Sequence, residues 1–148
     1  LRLCRALWSG EPVTWTGRWQ LDGQTLGPRP ARPGGPPIWM ATMVDAGFER
    51  TGRLFDGWLP IGRDDPAVYR DRWDRVCASS AAAGRTGAVT GAMYLTVSLH
   101  DDPDEAERRL DAYLAQYYAP VPATLMRRVQ ACYAGATAGL AAWLERFV

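Results

Sequence analysis

Three short β-prone runs, Ile38-Trp39-Met40-Ala41, Gly57-Trp58-Leu59-Pro60-Ile61 and Met93-Tyr94-Leu95-Thr96-Val97-Ser98-Leu99, each precede a stretch of helical length. Short apolar runs bounded by turn residues read as strands buried on both faces. The stretches between them carry helix starts. Thr42, followed three residues later by Asp45, has capping-box spacing and predicts a helix from 43 to about 55. Asp65-Pro66 sets an N-cap before proline at the first helical position, and that helix runs to Gly84. Asp102-Pro103 repeats the device with Glu105 at the box position, and the chain from 103 onward reads as helix, broken near Pro120-Val121-Pro122 and at Gly135. Strands alternating with helices argue for parallel β-α-β units with right-handed crossovers. Three parallel strands make no finished sheet, because each edge stays open. The fold class expected is therefore α/β, an arc of a barrel or of a doubly wound sheet. Leu1–Trp8 and Ala141–Val148 both read as mid-helix, which agrees with an arc cut from something larger.

Upstream of the alternation the pattern differs. A helix reaches Ser9 and stops at Gly10. Val13-Thr14-Trp15-Thr16 and Arg18-Trp19-Gln20-Leu21 flank Gly17 as a short hairpin. Residues 27–37, with five prolines and three glycines, form an extended linker.

Charge and cysteine content exclude several functions. A net charge of +1 gives no basic footprint for nucleic acid. No run approaches the roughly 18 apolar residues of a membrane span, and the first residues lack a signal-peptide core. Cys4, Cys77 and Cys132 have no metal-ligand spacing and read as reduced residues of a cytoplasmic protein. No metal site and no catalytic acid, base or nucleophile is expected; there is no P-loop and no G-x-G-x-x-G.

In a parallel α/β fold, ligands collect at the carboxyl ends of the strands. That rule selects Ala41-Thr42, the segment from Leu59 to Arg63, and Ser98-Leu99-His100. Thr42, at a helix start, offers free backbone N–H groups to a phosphate, or serves as a plain cap. Arg63 reads as an anion partner or a solvated loop residue. His100, the one histidine, reads as a base or a surface side chain. Alternation sets Tyr94, Thr96 and Ser98 on one face of their strand. Trp39 and Trp58 lie where they touch a ring-shaped ligand or pack in the core.

A further pattern lies in the order of short motifs. Ala6-Leu7-Trp8-Ser9-Gly10-Glu11-Pro12-Val13, Gly17-Arg18-Trp19, Pro28-Arg29-Pro30, Pro36-Pro37-Ile38-Trp39-Met40, Asp56-Gly57-Trp58-Leu59-Pro60 and Ala83-Gly84-Arg85 form one series across residues 5–105. The series resembles the C-terminal half of the luciferase-like monooxygenases, flavin- or deazaflavin-dependent (β/α)8-barrel oxidoreductases. The resemblance implies that residues 1–148 are the C-terminal part of such a TIM barrel, with about three parallel strands in fifth, sixth and seventh place and a hairpin insertion. Four strands would precede Leu1 and the eighth would follow Val148. It implies FMN or coenzyme F420 as cofactor and a small organic substrate. Ala41 and Thr42, where the family usually has Gly-Gly, fall at the cofactor; Trp58, Tyr94 and Thr96 fall at the substrate pocket. The missing barrel half would come from elsewhere or from a homo-oligomer. The rival readings are a non-catalytic α/β interaction module and a small aromatic-ligand binder built from the same barrel.

Overall fold

The computed structural model describes residues 1–60 and 65–147. Arg63 and its neighbours from 61 to 64 lie outside the described residues, as does Val148. The chain divides into two compact units, the first spanning Leu1–Ile38.

The first unit holds helix α1 (Arg2–Leu7) and an antiparallel pair, β1 (Val13–Trp15) and β2 (Leu21–Gln24). The expected hairpin is present, with its second strand displaced toward Gln24. The proline-rich stretch is pinned by packing: the Trp8 ring lies so close to Gly35 that a Cβ there would sit 2.1 Å from it. Gly35 also holds φ +89°, a conformation that favours glycine.

The second unit carries the alternation. Its order is β3 (Trp39–Ala41), α2 (Asp45–Leu54), β4 (Gly57–Leu59), α3 (Pro66–Ala82), β5 (Thr90–Gly91), β6 (Leu95–Leu99), α4 (Pro103–Tyr117), α5 (Ala123–Val129), β7 (Ala131–Gly135) and α6 (Thr137–Glu145). Every strand pair here is parallel. β4 lies between β3 and β5, with Met40 opposite Trp58 and Trp58 opposite Gly91. β6 pairs with β7 from Leu95 opposite Ala131 to Leu99 opposite Gly135.

Two expectations are corrected here. The neighbour of β4 is Thr90–Gly91 rather than the run at 93–99, and the Ala92 N–H continues this pairing to the Trp58 carbonyl at 3.1 Å. Gly91 faces α3: a Cβ there would lie 2.8 Å from the Tyr69 hydroxyl, so only glycine lets the strand pass that close. The chain then changes partner, and Leu95–Leu99 joins β7. The second correction is β7 itself. Residues 131–135 are extended, not helical, and pair in parallel with β6. Apart from Tyr133, its residues have little β-preference of their own, and the parallel ladder with β6 supplies the stabilisation.

The Asp-Pro helix starts are as expected. Asp65 accepts from the N–H groups of Ala67 (2.9 Å) and Val68 (3.0 Å). Asp102 accepts from Asp104 (2.9 Å) and Glu105 (3.5 Å). The Thr42 cap is not: α2 begins two residues later, its N-cap is Val44, and no side chain caps it.

The core forms where α2 and α3 cover one face of β3–β5. Trp58, fully buried, packs edge-on to Phe48 (5.7 Å) and stacks on Tyr69 (5.3 Å); Val76 and Phe147 complete the cluster. α2 and α3 approach closely at Gly52, where a Cβ would fall 2.5 Å from the Val76 carbonyl. Arg85, half-buried, ends α2 by donating to the carbonyls of Gly52 (2.7 Å) and Phe55 (2.9 Å). Among the described residues no helix is long and apolar enough to cross a membrane.

Candidate functional site

The carboxyl ends of the strands present Ala41-Thr42, Leu59-Pro60, Leu99-His100 and Gly135-Ala136. Parallel register places Trp39, Ala41, Gly57 and Leu59 on the face opposite the helices, because their neighbours Met40 and Trp58 lie on the helix face. Ala41 is exposed there. Trp39, 43% exposed, lays its indole on Gly57, where a Cβ would meet the ring at 2.4 Å. Sequence left both tryptophans open to a ligand, and the structure separates them.

Trp58 belongs to the core cluster. Its ring has no exposed surface, and its Nε1–H donates to the Thr42 carbonyl at 3.1 Å. It touches the core aromatics Phe48, Tyr69 and Trp73. Thr42 is itself 5% exposed. Its Oγ1 accepts from the Val44 N–H at 3.4 Å and occupies the space above Gly47, where a Cβ would sit 1.8 Å away. Thr42 therefore fixes the strand end through its buried side chain and its carbonyl.

Tyr94 and Thr96 are brought together by a chain of hydrogen bonds. Buried Thr96 donates to Gln130 Oε1 at 2.9 Å, and Gln130 Nε2 donates to the Tyr118 hydroxyl at 2.6 Å. That hydroxyl lies 2.9 Å from the Tyr94 hydroxyl. The bond to Tyr118, with burial second, pushes the Tyr94 phenol up to about 12. Tyr118 ends α4 and Gln130 precedes β7. The network thus ties the amino ends of β6 and β7 to the end of α4, away from the carboxyl ends where ligands collect. Sequence alone gave no sign of Gln130 and Tyr118, because their partner strand β7 was not legible.

His100 sits at the carboxyl end of β6, its N–H bonded to the Gly135 carbonyl at 3.1 Å. Its Nδ1 lies 3.0 Å from the Asp102 N and 3.3 Å from the Asp102 carbonyl. Burial, with the Asp74 charge second, raises the Cys77 thiol above its usual range. Among the described residues no cluster of metal ligands occurs.

The four helices that follow strands start in two ways. α3 and α4 fill their first N–H groups with the carboxylates of Asp65 and Asp102. α2 and α6 begin after β3 and β7 with no side-chain cap. The free amides and the positive end of the helix dipole suit an anion at the latter pair and not at the former.

A family model described as luciferase-like monooxygenase matches residues 1–145. The chain is 32% identical over 114 residues to an F420-dependent hydroxymycolic acid dehydrogenase of Mycobacterium tuberculosis, covering 75% of this chain and 30% of that protein. It is 27% identical over 127 residues to an F420-dependent glucose-6-phosphate dehydrogenase of Microbacterium testaceum, covering 84% of this chain and 36% of that one. Among solved structures, an F420-dependent secondary alcohol dehydrogenase in complex with an F420-acetone adduct superposes with a TM-score of 0.75 at 20% identity, over 99% of this chain and 50% of its own. A long-chain alkane monooxygenase gives 0.71 at 14% identity, over 99% and 46%. The chain thus spans about a third of these curated relatives and about half of these solved chains. The architecture is a partial (β/α)8 barrel.

Proposed function

The chain belongs to the luciferase-like monooxygenase family, and we propose on that premise that residues 1–148 are the C-terminal arc of a cytoplasmic oxidoreductase working with coenzyme F420 on a small organic substrate. The observation that carries this reading is the parallel succession β3–β4–β5 and β6–β7, with uncapped helix starts after β3 and β7. The named F420-dependent dehydrogenases among its relatives favour F420 over FMN.

When bound, the deazaflavin ring supplies hydride transfer. The residues present fit the group at two points. F420 and FMN both carry a phosphate, and the first N–H groups of α6, at Thr137 and Ala138, would hold it. Ala41 presents only a methyl group on the exposed face, which leaves room for a ring against the strand. Thr42 and Trp58 act as positioning residues: the indole bond to the Thr42 carbonyl holds the end of β3 in place. Tyr94 and Thr96 set β6 against β7 through Gln130.

The test is a fluorescence titration of the purified chain with F420 and, in parallel, with FMN. The reading expects saturable F420 binding at micromolar levels, weaker FMN binding, and loss of F420 affinity in Ala41→Trp. Tighter binding of FMN would shift the cofactor to flavin. Saturable binding of neither would overturn the reading in favour of a non-catalytic module.

A further inference from the structure

We infer that Trp39 forms the floor of the cofactor pocket, its indole standing under the cofactor ring and fixing how far that ring reaches toward the amino ends of the strands. The inference rests on the cofactor reading above and adds a residue to that site.

Three observations carry it. First, the register of β3, β4 and β5 sets two layers on the face opposite α2 and α3. Trp39, Gly57 and Thr90 make the layer at the amino ends, and Ala41 and Leu59 make the layer above it. Residues on one face of a strand lie about 6.6 Å apart along it, so a ring resting on the Ala41 methyl has the indole directly below it.

Second, the indole has a built seat. A Cβ at Gly57 would lie 2.4 Å from Cδ2 and 2.5 Å from Cε2 of Trp39, so the ring lies across the backbone of β4. The φ of Gly57 is not positive, so the strand geometry admits any residue there and the ring alone demands glycine. Glycine inside a strand weakens it; here it gives an aromatic ring a fixed position.

Third, the seated ring is not used by the core. Trp39 stays 43% exposed and stands outside the cluster of Phe48, Trp58, Tyr69 and Val76 on the other face of the same sheet. A held, half-exposed indole beside a small side chain suits a flat ring, which gains apolar burial and an edge or offset contact.

The test titrates F420 into the purified chain and its variants, with FMN in parallel, and follows the indole Nε1–H resonances by NMR. Trp39→Ala should weaken the tighter-binding cofactor about tenfold, and Trp39→Phe by less, with an unchanged far-UV circular dichroism spectrum. Gly57→Ala drives a Cβ into the indole and should weaken binding comparably. Combined with Trp39→Ala it should cost no further affinity, because both changes act through one ring. The resonance that Trp39→Phe removes should be the indole signal that the cofactor shifts most. A cofactor bound equally well by Trp39→Ala, or one that leaves the Trp39 resonance in place, would overturn the inference and leave the cofactor reading standing. Binding of neither cofactor by the wild-type chain would overturn both.

Discussion

Replacing Trp58 separates a core residue from a pocket residue. The indole is fully buried against Phe48, Tyr69 and Trp73, and its N–H satisfies the Thr42 carbonyl. Trp58→Phe keeps most of the apolar volume but leaves that buried carbonyl without a donor, at about 1–3 kcal/mol. Trp58→Ala opens a cavity among three aromatic neighbours and costs about 3–5 kcal/mol. With a urea slope of about 1–3 kcal/mol per molar, a loss of about 2 kcal/mol lowers the midpoint by roughly 1 M. The assay is urea unfolding followed by tryptophan emission and far-UV circular dichroism together. Trp58→Phe should lower the midpoint by that amount with an unchanged slope, and Trp58→Ala by twice as much or more. A Trp58→Phe variant with the wild-type midpoint and weakened ligand binding would refute the core assignment.

Other substitutions report on single links of the same argument. Arg85→Met removes both bonds to the end of α2 and should cost about 2–3 kcal/mol through two orphaned carbonyls, seen as faster amide exchange at 52–56. Gly47→Ala drives a Cβ into Thr42 Oγ1 and should destabilise by about 1–3 kcal/mol; adding Thr42→Ala should recover most of that loss in a double-mutant cycle. Tyr118→Phe should return the Tyr94 phenol from about 12 toward its ordinary value, read by tyrosinate absorbance. The raised phenol contributes stability that is complete below its unfolded value and fades as pH climbs through the folded one, and Tyr118→Phe should remove that alkaline-side dependence. The Arg109 hydrogen bond holds Glu105 below the usual carboxylate range, so its contribution is present at neutral pH and is lost as pH falls through the folded value. Arg109→Gln should raise the Glu105 midpoint in a carboxylate NMR titration.

Legibility followed how local each signal is. Asp65-Pro66 and Asp102-Pro103 carry their own chemistry, a carboxylate and a fixed φ, and both starts are where the sequence puts them. Ile38–Ala41 and Gly57–Ile61 needed only a buried parallel strand to make sense, and β3 and β4 lie within them. β7 was illegible because four of the five residues of Ala131–Gly135 are small, and their extended form is imposed by β6. The change of partner between Gly91 and Leu95 was hidden for a related reason: strand pairing is a property of two segments, and one of them had been read as helix. At the candidate site, Ala41 and Thr42 were placed at a strand end from sequence, yet Thr42's role as a buried anchor depends on Gly47 and Trp58. Trp58 illustrates the limit most plainly. An aromatic residue on a strand has two faces to choose from, and only the register with Met40 and Gly91 decides which.

Nuclear Overhauser contacts between Leu95–Leu99 and Ala131–Gly135 test the central claim most directly, since β7 is the stave that turns the alternation into an arc of a barrel. The account predicts interstrand contacts at the pairs Leu95/Ala131, Val97/Tyr133 and Leu99/Gly135, running in the same direction. Contacts between residues three and four apart within 131–135, with none to β6, would contradict it.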